Sequence, residues 1–235
     1  TLGYGAYNYT YNTSGNENYT GASNSNILTV QNSTGNCNVL FNTTSPKTYP
    51  YTFIVYSNCD SNFTLYRNGT VIGNNSVQNL AAGYWNFTVV RTDQENYSNK
   101  YDEKYFTINK ATPSLNLASS PAWTNVYPVQ TTVNGSNCPS QLTCNLYRNG
   151  TQVSNPEITT LGYGAYNYTY NTSGNENYTG YSLSNNLIIN KNTGNCDVLF
   201  NATSPLEYPN SFRVYSNCNS NFTLYRNAVP IANNS

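Results

Sequence analysis

The chain has 235 residues, with no His and no Met, and balances ten Lys and Arg against ten Asp and Glu. With no net charge it has no basic field to attract nucleic acid and no acidic field to repel it. Apolar stretches such as Phe53 to Tyr56 and Leu187 to Ile189 fall far short of the roughly 20 residues a membrane helix needs, so this segment has no membrane span.

In chain order, the first readable element is Ala6-Tyr7-Asn8-Tyr9-Thr10-Tyr11-Asn12. Aromatic residues alternate with polar ones there, the period-two pattern of a strand buried on one face, which predicts Tyr7, Tyr9 and Tyr11 in a core. Phe63 to Arg67 and Thr70 to Ile72 flank Asn68-Gly69, a dipeptide that accepts the positive φ angles of a tight hairpin. Trp85 takes the register of Tyr7 and is also predicted to be core. Trp123 follows Pro121 in a stretch without a counterpart in the preceding repeat, and is a candidate for an inter-module contact or a surface binding spot. Asn149-Gly150 repeats the tight turn, and Asn227-Ala228 replaces it in a third copy, predicting a looser hairpin. No helical period occurs. Six or seven short strands per module, with turn signals every 8 to 12 residues, predict an all-β chain of sandwiches.

Internal repeats set the organisation. TLGYGAYNYTYNTSGNENYTG at Thr1 to Gly21 recurs unchanged at Thr160 to Gly180. The same offset maps Thr34 to Pro46 onto Thr193 to Pro205 and Ser57 to Gly69 onto Ser216 to Ala228. That unit divides in two, because Ser136 to Thr151 repeats the first SNC…LYRNGT segment about 80 residues on. Modules are therefore expected at 32–109 and 110–190, flanked by the back part of a module at 1–31 and the front part of another at 191–235. The chain opens on Thr1 and stops at Asn234-Ser235 in mid-module, so it is expected to be a window from a longer or processed polypeptide.

LYRNGT, a Gly turn, then GxYxYxxNTxGNxNYT resembles the tandem immunoglobulin-like repeats of prokaryotic cell-surface or filament proteins, and looks closest to archaeal ones. The resemblance rests on Leu65 to Thr70, Gly83 to Asn99, Leu146 to Thr151 and Leu161 to Thr179. It implies an immunoglobulin-like β-sandwich and a surface setting, not an activity.

Six cysteines fall in pairs by module: Cys37 with Cys59, Cys138 with Cys144, and Cys196 with Cys218. An even count confined to each module reads as disulfides formed outside the reducing cytosol; buried free thiols are the alternative. Ser114 or a neighbour takes the place of the first cysteine in the middle module. Without His or a close Cys-x-x-Cys pair, no metal site is expected.

Asn-x-Ser/Thr occurs eighteen times, at Asn8, Asn12, Asn18, Asn32, Asn42, Asn62, Asn68, Asn74, Asn86, Asn96, Asn134, Asn149, Asn167, Asn171, Asn177, Asn201, Asn221 and Asn233. Shuffling this composition would give roughly 10, so N-linked glycans are expected. Alternation of polar and apolar residues can also generate such triplets with no sugar attached. In a strand, positions i and i+2 share a face, so Asn8, Asn62 and Asn86 are predicted to face solvent while Tyr9, Phe63 and Phe87 point to a core.

No catalytic residues are nominated. Without His, and with carboxylates scattered near turns and linkers, general acid-base chemistry has no candidates. Asp102-Glu103 and Asp93 with Glu95 are the close acidic pairs; they could help bind Ca²⁺ at a module junction or stand as solvated loop charges. Glu17 and Glu176 are lone carboxylates. No cofactor is expected. The expected role is a structural component of an extracellular filament, stalk or surface layer, with a glycan-binding surface adhesin as the alternative. The expected partner is self: modules stack end to end in one polypeptide, or residues 191–235 of one subunit are completed by residues 1–31 of the next.

Overall fold

A computed structural model describes residues 1–92 and 94–234; Asp93 and Ser235 lie outside the described residues. Every described element is a β-strand. The N-terminal hairpin pairs β1 (Gly5–Gly15) with β2 (Thr20–Val30) in antiparallel register, Tyr9 opposite Asn26.

The first complete sandwich holds β3 (Val39–Phe41), β4 (Lys47–Thr48), β5 (Thr52–Ser57), β6 (Thr64–Arg67), β7 (Thr70–Ile72), β8 (Ser76–Asn79), β9 (Gly83–Arg91) and β10 (Lys100–Asn109). One sheet runs β3-β5-β8 and the other β4-β10-β9-β6-β7. Eight strands stand where six or seven were expected, because the first strand divides at Pro46. Proline has no N–H for a ladder, and after it β4 crosses over to pair in parallel with β10. The immunoglobulin-like arrangement recurs in the second sandwich, with β11 (Asn116–Ser120), β12 (Thr124–Val126), β13 (Gln130–Ser136), β14 (Asn145–Arg148), β15 (Thr151–Val153), β16 (Glu157–Thr160), β17 (Gly164–Thr172) and β18 (Tyr181–Asn190). Its sheets run β11-β13-β16 and β12-β18-β17-β14-β15, and Pro121 stands at the same crossover. The last segment forms two hairpins, β19 (Val198–Phe200) with β20 (Val214–Ser216) and β21 (Leu224–Arg226) with β22 (Val229–Ile231).

The tight turns follow the sequence. Asn68 and Gly69 take φ of 46° and 78°, Asn149 and Gly150 48° and 81°, the left-handed pair that a two-residue hairpin requires. Asn227 and Ala228 hold the same turn at 47° and 65°, so the third hairpin is as tight as the others rather than looser. Strand pairing enforces it, since Arg226 faces Val229 directly.

The core of the first sandwich gathers Val39, Phe53, Val55, Leu65, Phe87, Val89, Phe106 and Ile108. Phe53 stacks on Phe106 at 3.9 Å, and Phe41 meets Phe87 edge-on at 5.4 Å. Trp85 packs against this core half-buried and donates its indole N–H to the Ala81 carbonyl at 3.0 Å. In the second sandwich Leu146, Tyr168, Tyr170, Leu187 and Ile189 are buried. Buried Glu157 accepts from Arg148 Nη1 at 2.6 Å and from Tyr168 Oη at 2.6 Å, so each polar atom taken from water keeps a partner. Burial first, and that bond second, hold the Tyr168 phenol well above the usual tyrosine range.

The expectation that Tyr9 and Tyr11 lie in a core fails. Their identical copies, Tyr168 and Tyr170, are 0% and 3% exposed, whereas Tyr9 and Tyr11 are 56% and 73% exposed. Alternation aligns the rings on one face, but only a second sheet buries them, and the β1-β2 sheet has just two strands.

Two compact units emerge from the packing. One joins Thr1–Ser114 with Cys138–Cys144 and Asn171–Tyr181; the other joins Leu115–Asn137, Asn145–Tyr170 and Ser182–Ser235. The rim of the second sandwich thus packs with the first.

Candidate functional site: the module joint

The rim that joins the first unit is built from a disulfide loop and a repeated Asn-rich turn. Cys138 and Cys144, six residues apart, close the loop, and Leu142 N donates to the Pro139 carbonyl at 2.9 Å to tighten it. Gln141 stands at its tip. Its Nε2 donates to Tyr49 Oη at 2.8 Å, while its backbone carbonyl accepts from Asn175 Nδ2 at 3.0 Å. Asn177 Nδ2 donates to Gln141 Oε1 at 3.3 Å, and Asn177 Oδ1 accepts the backbone N–H of Ala82 at 2.9 Å. Tyr178 lies edge-on to Tyr49 at 5.6 Å. Lys110 Nζ, in the connecting segment, donates to the Asn175 carbonyl at 2.7 Å, and Ala111 bridges in parallel to Tyr178.

The turn itself is set by Asn175, whose Oδ1 accepts from the N–H of Asn177 and Tyr178 at 2.8 and 3.0 Å. Short Asn side chains serve this purpose well because they replace backbone partners locally. The joint contacts, though not the Asn175 turn, recur one module earlier, where Gln94 takes the place of Asn175. Tyr4 N donates to Asn96 Oδ1 at 2.7 Å, and Ser33 bridges in parallel to Tyr97. Asn96 and Asn177 therefore hold equivalent backbone N–H groups of the preceding element. In the second unit, Lys191 Nζ sits 5.0 Å over the Tyr163 ring, a cation–π contact.

Arg91 locks the start of the first sandwich. Fully buried, it donates to the carbonyls of Thr34 at 2.7 Å, Asn36 at 3.1 Å and Ser98 at 3.0 Å.

The expected sequon asparagines fall into three groups. Asn8, Asn12, Asn18, Asn32, Asn42, Asn62, Asn68, Asn74, Asn96, Asn134, Asn149, Asn167, Asn201, Asn221 and Asn233 are exposed, Asn86 and Asn171 are half-buried, and Asn177 is buried. Asn177, at 8% exposed, departs from the glycan expectation, because its amide nitrogen faces Gln141. Several others support the backbone through Oδ1: Asn42 accepts from Ile54 N, Asn74 from Ser57 N, Asn201 from Arg213 N and Asn233 from Ser216 N. A glycan attaches to Nδ2 and leaves Oδ1 free to accept, so this structural use and glycosylation are compatible. Phe87 points to the core as expected and Phe63 is half-buried against it, while Tyr9 is exposed.

The three disulfides join Cys37 to Cys59, Cys138 to Cys144 and Cys196 to Cys218. Leu115, beside Ser114, fills the core where Cys37 stands in the first sandwich. Asp102 and Glu103 are not a joint ligand pair. They lie inside β10, where the side chains alternate; Asp102 Oδ2 accepts from Val39 N at 2.8 Å and Glu103 accepts from Tyr105 Oη at 2.8 Å and from Asn86 Nδ2. Those hydrogen bonds, Tyr105 foremost, hold the Glu103 carboxyl below its ordinary value. The Asp93 half of the other acidic pair lies outside the described residues. Among the described residues no three His, Cys, Asp or Glu side chains cluster as a metal site requires, and no helix is long and apolar enough to cross a membrane. Trp123 is half-buried, and its carbonyl accepts from Ile188 N at 2.8 Å.

Sequence reasoning missed Gln141, Tyr49 and the joint role of Asn96 and Asn177. The recurring Glu-Asn-Tyr-Thr/Ser turn marked the place, but read as a glycan acceptor alone.

No protein-family model matches the chain, and no curated protein matches it. Among solved structures it is similar to the fibronectin(III)-like modules of Clostridium thermocellum CbhA, at 9% identity over 65% of this chain and 94% of that one, with a TM-score of 0.28. At that score the fold is argued from the strands themselves. They define a protein of tandem immunoglobulin-like β-sandwich modules, each closed by a three-stranded and a five-stranded sheet. Three disulfides in such a fold are consistent with an extracellular protein.

Proposed function

We propose that the chain is a structural component of an extracellular filament, stalk or surface layer of the archaeal kind, with N-linked glycans on its exposed sequons. The repeated joint carries this reading. Asn96 and Asn177 hold equivalent backbone groups, so one docking geometry is used more than once, which is what a chain of stacked spacers needs. Glycans at exposed strand positions such as Asn8 and Asn62 would solubilise a nearly uncharged surface and cover strand edges open to pairing. Glycopeptide mass spectrometry of the native protein, with electron microscopy of the cell surface, tests it. Sugar at exposed sequons and labelled surface appendages are expected; unmodified sequons with the protein retained inside cells would overturn it.

A glycan-binding adhesin is the second reading, favoured by one observation. Tyr84 and Tyr105 are exposed and stack on one another at 4.6 Å, beside Glu103, forming a flat aromatic face suited to a sugar ring. Glycan-array binding that disappears in Tyr84→Ala and Tyr105→Ala is expected on that reading, and an array with no binding sinks it.

A further inference from the structure

Asn86, on the outer face of the first sandwich, has surroundings that its copy in the second sandwich lacks. In β9 and β10, Asn86 lies opposite Tyr105, and Thr88 opposite Glu103. Tyr84, two residues before Asn86 on the same strand, shares its face. The Tyr84 and Tyr105 rings lie parallel within 10°, centroids 4.6 Å apart, yet stay 64% and 45% exposed. Apolar ring surface is left in water there, beside a half-buried asparagine.

The asparagine itself is oriented. Thr88 Oγ1, the sequon hydroxyl, donates to Asn86 Oδ1 at 2.8 Å. Asn86 Nδ2 donates to Glu103 Oε1, which also accepts from Tyr105 Oη at 2.8 Å. The backbone is pinned as well, since Asn86 N donates to Asn68 Oδ1 at 2.9 Å. In the second sandwich, Asn167 N donates to Asn149 Oδ1 at 2.8 Å and Thr169 Oγ1 to Asn167 Oδ1 at 3.2 Å, so the Asn167 sequon holds the equivalent place. There, however, Ala165 replaces Tyr84 and Ser184 replaces Glu103. Asn186, which accepts from Asn167 Nδ2 at 3.1 Å, replaces Tyr105. The sequon is kept, the aromatic pair is not, and Asn167 is exposed.

We propose that Asn86 carries an N-linked glycan whose first sugar lies against the Tyr84 and Tyr105 rings, a seat absent at Asn167. An asparagine amide nitrogen has two hydrogens. In attachment, Nδ2 bonds to the anomeric carbon of a phosphate-activated glycosyl donor, the phosphate leaves with the electrons of the broken C–O bond, and one Nδ2 proton is released. The other hydrogen stays with Glu103 and fixes the direction in which the sugar leaves the sheet. A pyranose presents C–H bonds on one face, and that face removes the tyrosine rings from water. The inference rests on the glycoprotein reading proposed above and adds where one glycan lies. It also fills the tyrosine face from within the chain, leaving none for a foreign sugar.

Glycopeptide mass spectrometry and proton NMR of the native glycoprotein test it. Sugar is expected on Asn86, with the protons of its first residue shifted upfield by the ring currents. The shift should vanish in the double variant Tyr84→Ser, Tyr105→Ser and persist in Tyr84→Phe, Tyr105→Phe, which keeps the rings and controls for lost folding. Any sugar on Asn167 should be unmoved by either pair of substitutions. Sugar on other sequons but none on Asn86, or sugar on Asn86 whose protons are the same with and without the rings, would overturn the inference and leave the glycoprotein reading standing. Sugar on no sequon would overturn both. Free glycans that bind the native chain through Tyr84 and Tyr105 would show the face to be open, which also refutes the inference.

Discussion

Asn177→Ala tests whether the joint is held where the geometry places it. The substitution removes the acceptor for Ala82 N–H at 2.9 Å and the donor to Gln141 at 3.3 Å, at a residue only 8% exposed. Leaving a buried group without its partner costs about 1–3 kcal/mol. At about 1.4 kcal/mol per factor of ten, local opening at the joint should rise about 5- to 140-fold. Hydrogen exchange of the Ala82 amide reads this directly, with the buried Val55 amide as a control that should not move. Asn177→Asp retains the acceptor oxygen, so Ala82 should stay slow although the Gln141 contact is lost. Equal exchange of Ala82 in the wild type and in Asn177→Ala, or a glycan found on Asn177, would refute the joint as described.

The second sandwich should be the more sensitive to alkali. A tyrosine whose folded pKa is raised adds stability that is complete below the unfolded value of about 10 and is lost as pH rises through the folded value. Tyr168 is raised, chiefly by burial and then by its bond to Glu157, and Tyr170 is raised by burial. Phe87 takes the corresponding place in the first sandwich and cannot ionise. Circular dichroism and tyrosinate absorbance should show the second sandwich unfolding first above about pH 10, and later in Tyr168→Phe; simultaneous loss of both would contradict the assignment. Ala228→Gly should stabilise the last hairpin by about 1 kcal/mol in denaturant titration, since Ala228 at φ 65° holds a conformation that suits glycine. Gly69→Ala should lose a similar amount. Removing Cys37–Cys59, with a sequence separation of 22, should cost about 3 kcal/mol, and removing Cys138–Cys144, with a separation of 6, about 2 kcal/mol. The reverse order in denaturation of the paired Ser variants would refute the loop-entropy account.

The strands were legible because their information is local. Alternation in Ala6 to Asn12 and the Asn-Gly turns at 68–69 and 149–150 specify strand and hairpin with no knowledge of the rest of the chain. What depends on a distant partner was not legible. Tyr9 and Tyr168 sit in identical stretches, yet one is exposed and the other buried, since burial belongs to the facing sheet. The two-residue β4 escaped notice because its place is set by the break at Pro46 and by pairing with β10, more than 50 residues on. Glu157 reads as a solvated turn carboxylate until Arg148 and Tyr168 close on it. Asn177 illustrates a different limit. The glycan signal and the joint signal are the same three letters, and only burial separates them.

Tandem modules of one fold are exposed to a folding error, the exchange of strands between adjacent repeats during synthesis. The second sandwich seats Tyr170 against Gly135, where the first carries Val89 and Ser57, and this difference in bulk works against that error. A nascent front strand of one sandwich meets, in the module next to it, a back strand of the wrong bulk, and the interchangeable copies lie a full double repeat apart. Alternation of core volume thus favours pairing of each front strand with the back strand of its own module.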